Sequence, residues 1–258
     1  MTDESSMTDE AGTTDALVVA HVSDLHLGAH VPATVASLAD EVAAFAPDLT
    51  VVTGDHTMRA RPREFLQAAD LIGKLPAPRL VVPGNHDLPL VSPLRAIAPY
   101  ARYRRWIGDD NPAVHVPGLT ALGINSMPRW RWKNGWVTPG QLARVRLVLG
   151  GAPASDVRLL ALHHPLSSLL GRARLVDALR DSRVDLVLAG HVHVPSARQD
   201  GTLFVTAGTA TSYRIRKVPR SWTLLRLTPS SITVSERFEG SPGTWYTGRV
   251  ARFSRLAS

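Results

Sequence analysis

Ten residues in five short clusters have the side chains and spacing to hold metal ions. Asp24 and His26 stand two apart in "HVSDLHLG". Asp55 follows a glycine in "VVTGDHT". Asn85, His86 and Asp87 follow another glycine in "VVPGNHDLP". His163 and His164 precede a proline in "LALHHPL", and His191 and His193 flank Val192 in "LVLAGHVHVP". Carboxylate, amide and imidazole groups are the ligands that hard and borderline divalent cations take. In extended chain an Asp-x-His sends both side chains to one side, where they can reach one ion. In "GHVH" a slight turn can send the two imidazoles to neighbouring ions. An asparagine binds a cation without adding charge, which keeps that cation strongly Lewis acidic. The glycines before Asp55, Asn85 and His191 permit tight turns and close backbone approach.

The composition narrows the chemistry. No cysteine is present, so a metal must be held by His, Asp, Glu or Asn. That ligand set suits divalent ions such as Mn, Fe, Mg, Zn or Co rather than a thiolate site. The formal charge is +7, and the first fifteen residues hold five acids and no Lys or Arg, so the body is more basic than the whole. A basic body favours anionic substrates such as phosphate esters. Only Lys74, Lys133 and Lys217 are lysines, so the excess is arginine.

Each cluster directly follows an expected strand. Apolar runs at Ala16 to Val22, Leu49 to Val52, Arg79 to Val82, Val157 to Leu162 and Val184 to Leu188 read as buried strands. Between them come expected helices. One carries Val35, Leu38, Val42 and Phe45 on a single face, and others start at Pro62, after Thr138 and at Arg172. Ala113 to Val116 and Leu119 to Ile124 read as a hairpin around Pro117-Gly118. Shorter strands are expected at Thr202 to Ala207, Ser221 to Leu227 and Ile232 to Phe238. Strand–helix alternation followed by a strand-rich portion predicts an α/β (or α+β) fold. Two sheets packed together with helices outside are expected. In open α/β sheets ligands gather at the carboxyl ends of strands, where all five clusters lie.

Other features are read more simply. "MTDE" occurs twice in the polar, acidic opening, which is expected to be a disordered tail over residues 1–15. That opening lacks a basic-then-apolar signal pattern, and no apolar run approaches the roughly 20 residues needed to span a bilayer. A cytoplasmic protein with no membrane partner is the expectation; oligomeric state is left open. Trp130 and Trp132 alternate with Arg129, Arg131 and Lys133. They either stack on a nucleotide substrate or cover the core while the basic chains reach water.

The ordered set D-x-H, GD, GNHD, HHP and GHxH resembles the calcineurin-like metallophosphoesterase superfamily, in particular its bacterial cyclic-nucleotide phosphodiesterase-like branch. The resemblance runs from about Leu17 to Thr211 and implies a double β-sandwich of two mixed sheets flanked by helices. It implies a metallophosphoesterase domain over 16–239 and a C-terminal extension over 240–258. It further implies one metal on Asp24, His26, Asp55 and His193, and a second on Asp55, Asn85, His163 and His191. Asp55 bridges the two, and a bridging hydroxide attacks a small phosphodiester or phosphomonoester. His86 would face the substrate, with Asp87 orienting His86. His164 would be structural or would support a metal ligand, and His56 would be solvated or supporting. A nuclease acting on DNA or RNA, or a non-catalytic scaffold of the same fold, are the alternatives. The sequence after Asp55, from His56 to Ala60, departs from the Asp-Arg-Gly signature of protein Ser/Thr phosphatases. Met58 stands where purple acid phosphatases place a tyrosine.

Overall fold

The computed structural model describes residues 16–90, 92–131 and 133–255. The expected tail over 1–15 and Trp132 lie outside them. In chain order the elements begin with β1 (Leu17–Val22), α1 (Pro32–Ala43), β2 (Leu49–Thr53), α2 (Pro62–Lys74) and β3 (Arg79–Val82). Two short helices, α3 (Leu94–Ile97) and α4 (Ala101–Trp106), precede β4 (Ala113–Val116), β5 (Leu119–Gly123) and β6 (Gly135–Trp136). Then come α5 (Pro139–Val148), β7 (Val157–Ala161), β8 (Leu169–Leu170), α6 (Arg172–Asp181) and β9 (Leu186–Ala189). The chain closes with β10 (Ser196–Asp200), β11 (Thr202–Thr206), β12 (Ser221–Leu227), β13 (Ser231–Glu239) and β14 (Trp245–Ser254).

Two six-stranded mixed sheets result, ordered β14-β13-β12-β1-β2-β3 and β10-β11-β9-β7-β5-β4. Within them β1, β2 and β3 run parallel, as do β5, β7, β9 and β11. The facing sides enclose one apolar layer, with Val19, Val51 and Leu80 from the first sheet and Ala121, Leu159 and Leu188 from the second. The outer face of the first sheet packs Val22 and Val52 on Leu38 and Val42 of α1 and Leu71 of α2. The outer face of the second packs Leu160 and Val187 on Val145 of α5 and Leu179 of α6. Strands buried on both faces are predominantly apolar, which is why the central ones read as near-continuous apolar runs, with His21, Thr50 and Thr120 as buried polar exceptions. The expected double sandwich with flanking helices is the fold observed.

Local signals set the helix starts. Pro32 and Pro62 occupy first-turn positions, where the missing N–H costs nothing. Thr138 opens α5 with a reciprocal cap: its Oγ1 accepts from Gln141 N at 3.2 Å, and Gln141 Oε1 accepts from Thr138 N at 2.9 Å. The segment set apart as a C-terminal extension contains β14, which pairs antiparallel along β13 and forms the edge of the first sheet. No helix among the described residues is long and apolar enough to cross a membrane.

Candidate metal centre

The parallel strands of both sheets end at one place, and the five clusters meet there. Asp24 follows β1, Asp55 follows β2 and Asn85 follows β3, all from the first sheet. His163 follows β7, and His191 and His193 follow β9, from the second. The first group gathers around Asp24 Oδ1. His193 Nε2 lies 3.1 Å from it and His26 Nε2 3.6 Å, with Asp55 Oδ2 3.7 Å from His26 Nε2. The second gathers around Asn85 Oδ1, with His191 Nδ1 at 3.1 Å and His163 Nε2 at 3.2 Å; Asp55 Oδ1 is 3.5 Å from His163 Nε2. The two carboxylate oxygens of Asp55 thus face different groups.

The proton positions show that these atoms fit a cation. His193 Nδ1 donates to Arg214 O at 2.8 Å, and His163 Nδ1 donates to Thr53 O at 2.7 Å. In the neutral imidazoles the opposite nitrogens then carry lone pairs, and these point inward. His26 Nε2 and His193 Nε2 sit 3.0 Å apart. Asp24 Oδ1 is buried without a hydrogen bond although His193 Nε2 is close by. Lone pairs converging on buried carboxylates require a positive charge between them.

The electrostatics agree. Burial opposes charge on His163, yet the Asp55 carboxylate outweighs it and pushes the pKa up to about 9. His193 is likewise raised against burial by Asp24. His191 goes the other way, to about 4, because burial and the neighbouring His163 both disfavour its charged form. Burial works to raise Asp24 and Asp55, but the surrounding imidazoles hold both below the usual carboxylate range. A proton here occupies the role a metal ion would take.

Backbone geometry corrects one expectation. Asp24 and His26 are not in extended chain: their φ values are 54° and 48°, and Asp55, His191 and His193 have φ of 51°, 73° and 60°. Left-handed conformations are costly for residues other than glycine, and they cluster at functional sites. The turns are over-determined by their surroundings. Asp24 N donates to Gly54 O, His26 N to Asp55 O, and His191 N to Asp24 Oδ2 at 2.9 Å. A side chain at Gly84 would place its Cβ 2.2 Å from Asp55 Oδ1, and one at Gly190 would meet Ser23 Oγ at 1.9 Å.

Asp87 has a different partner from the one expected. Its carboxylate accepts from His56 Nδ1 at 2.8 Å, Gly84 N at 2.9 Å, and Thr57 N and Oγ1 at 2.9 and 3.0 Å. It therefore ties the turn after β3 to the turn after β2. His56 is fully buried rather than solvated. His86 is oriented instead by Met58, whose carbonyl accepts from Nδ1 at 2.8 Å, while His86 N donates to Asp55 Oδ1 at 2.8 Å. Asp87→Ala should thus act on folding, costing about 3–5 kcal/mol by leaving His56 and three donors without a partner. Burial works to raise the Asp87 pKa, but His56 and the Gly84 N–H bring it below the ordinary aspartate value of 3.8. A depressed carboxylate stabilises the fold fully above that value, and the contribution is lost as pH falls below it. Thermal melts should therefore show the wild type losing its advantage over Asp87→Ala in that acid range.

His164 is buried behind the centre, with Ser126 Oγ 2.9 Å from its Nδ1. Trp130 is 59% exposed and leans on Trp136, ring centroids 5.7 Å apart, so it covers little of the core. The structure adds Arg214, whose Nη1 is 3.4 Å from His86 Nε2. Nothing in its sequence neighbourhood marked it, since it lies beyond the last motif.

A sandwich of two sheets with a cation-fitting cluster at the strand ends defines the class to which this chain belongs. Residues 17–195 match the model of the calcineurin-like phosphoesterases, and the chain is a member of that family. It is 29% identical over 188 residues to a probable cyclic nucleotide phosphodiesterase of Rhodococcus erythropolis, an alignment covering 65% of this chain and 58% of that protein. A second probable cyclic nucleotide phosphodiesterase, from a Pseudoalteromonas species, is 28% identical over 230 residues, 80% of this chain and 82% of the relative. The chain therefore spans little more than half the length of the first relative and most of the second. A dimetal phosphatase structure from Danio rerio superposes with a TM-score of 0.66 at 16% identity, covering 95% of this chain and 100% of that one, a likeness of fold.

Proposed function

We propose that the protein hydrolyses phosphodiesters at a dinuclear metal centre. Asp24, His26, Asp55 and His193 would hold one ion, and Asp55, Asn85, His163 and His191 the other. The observation that carries this is Asp55, whose two oxygens face two separate ligand groups. Bound there, two divalent cations would supply a hydroxide nucleophile and neutralise charge on the phosphoryl group. The hard oxygen and imidazole donors favour Mn or Fe, with Zn, Mg and Co compatible.

The chain's own residues complete the site. Asn85 adds an uncharged donor, so the second ion keeps more of its positive charge than a carboxylate would leave it. The Met58 carbonyl engages Nδ1 of His86, so Nε2, which lies 3.4 Å from Arg214 Nη1, is the nitrogen that would turn to the leaving-group oxygen. The names of the two bacterial relatives make a cyclic nucleotide the first substrate to try. A panel with Mn-loaded protein tests the reading: cyclic nucleotides, bis-p-nitrophenyl phosphate, glycerophosphodiesters and single-stranded DNA, with elemental analysis. We expect about two ions per chain and diester turnover. Fewer than about one ion in well-loaded protein would exclude the two-metal site, and preference for DNA would favour a nuclease.

Trp130 bears on the nucleotide part of this reading. Trp130→Ala should raise KM for a nucleotide diester by an amount equivalent to roughly 1–3 kcal/mol of base stacking. Small aryl phosphates should be unaffected. Equal losses on both, with a lowered melting temperature, would assign Trp130 to packing.

A further inference from the structure

We propose that Arg214 is a phosphate-binding residue that extends the site to phosphomonoester dianions; this rests on the metal-dependent phosphoesterase reading above. Two contacts place Arg214 at the edge of the centre. Its main-chain oxygen accepts from His193 Nδ1 at 2.8 Å, and its guanidinium reaches back to within 3.4 Å of His86 Nε2. The backbone is pinned on both sides, since Ser212 Oγ accepts from Arg214 N at 3.1 Å and Ala29 O accepts from Tyr213 N at 3.2 Å. The side chain is only half-buried, so a ligand can reach it.

Among the described residues the guanidinium meets few acceptors. A guanidinium carries five N–H donors in a fixed fork suited to phosphate. The side-chain partners recorded for it are His86 Nε2 and Met58 Sδ, the latter a weak acceptor 3.5 Å from Nη1. Among the described residues Arg214 pairs with no carboxylate. By contrast Arg220, Arg237, Arg249 and Arg255 all do. A ring nitrogen of His86 belongs to a group with His26 and Asp55 whose ligand atoms lie within 4.8 Å of one another. The donors of Arg214 are therefore held next to where a phosphoryl group would bind.

A diester carries one negative charge on its phosphoryl oxygens and a monoester dianion carries two. An additional fixed cation favours the second by a full charge–charge interaction. The reaction adds water across the ester bond. The water oxygen bonds to phosphorus, the P–O bond to the alcohol breaks, the alcohol leaves with a proton, and inorganic phosphate remains.

The test uses the full chain loaded with Mn and the variants Arg214→Met and Arg214→Lys. Both keep the carbonyl that holds His193. Calorimetry reads the Kd of inorganic phosphate, and kinetics read KM and kcat on p-nitrophenyl phosphate and its bis-aryl diester. Arg214→Met should weaken phosphate and raise KM for the monoester by about ten- to hundredfold. The diester KM should rise clearly less, since it presents one charge to the guanidinium instead of two; metal content and melting temperature should change little, and Arg214→Lys should recover part of the loss. Unchanged phosphate affinity, or equal losses on monoester and diester, would overturn the role of Arg214. So would loss of metal, which would make the residue a prop for His193. Failure of the underlying reading looks different, because the wild type itself would then bind no metal or hydrolyse no diester.

Discussion

Asp55→Ala is expected to lose both metal ions and to lower diester hydrolysis by about a thousandfold or more, since bound metals contribute several kcal/mol of transition-state stabilisation. No other residue of the cluster should have so broad an effect. Asp55 Oδ2 faces His26 and Asp55 Oδ1 faces His163, so removing one carboxylate strips a ligand from each group. The same oxygen that faces His163 accepts from His86 N, so the turn carrying Asn85 loses an anchor as well. Asn85→Ala is the control, because among the described residues its amide oxygen meets His163 and His191, both of the second group. Elemental analysis should find both ions reduced in the first variant and chiefly one in the second. Two ions retained in Asp55→Ala would show that the carboxylate does not bridge.

His86→Ala should keep both metals and slow hydrolysis of an alkyl diester by about 10²–10⁴-fold, the range for acid–base catalysis. An alkoxide from ribose or glycerol needs a proton as it departs, whereas p-nitrophenolate leaves readily without one. The loss on an activated aryl diester should be clearly smaller. The geometry favours such a role, because Nδ1 is engaged by Met58 O and the ring stands edge-on to His26, centroids 4.9 Å apart. Equal losses on both substrates with metals intact would make His86 a positioning group. Loss of metals would make it structural.

Which parts of this could be read from the sequence follows from burial. The strands at the middle of each sheet are covered on both faces, so β1, β2, β5 and β9 are mostly apolar, β9 throughout, and leave a clear pattern. Edge strands leave a weak one. β10 reads Ser-Ala-Arg-Gln-Asp and is largely exposed, and β14 mixes arginine with scattered aromatic residues. The metal-competent side chains were legible because each follows a strand end that the fold brings together. Their backbone conformations were not, because a left-handed aspartate or histidine is imposed by hydrogen bonds from distant segments. Tertiary partnership was equally hidden. Asp87 stands next to His86 in the chain, yet its carboxylate belongs to His56, 31 residues away, because β2 and β3 are adjacent and their turns cross.

The division of donors between the sheets has a mechanical meaning. The oxygen donors Asp24, Asp55 and Asn85 hang from the first sheet, while His163, His191 and His193 hang from the second. A cation held by both sets would act as a rivet across the sandwich at the rim where the strand ends of the two sheets meet. Metal occupancy then adds to the free energy of unfolding by mass action, growing with the logarithm of the free ion concentration. A cell that starves the protein of metal would loosen the seam between its halves as well as silence its chemistry.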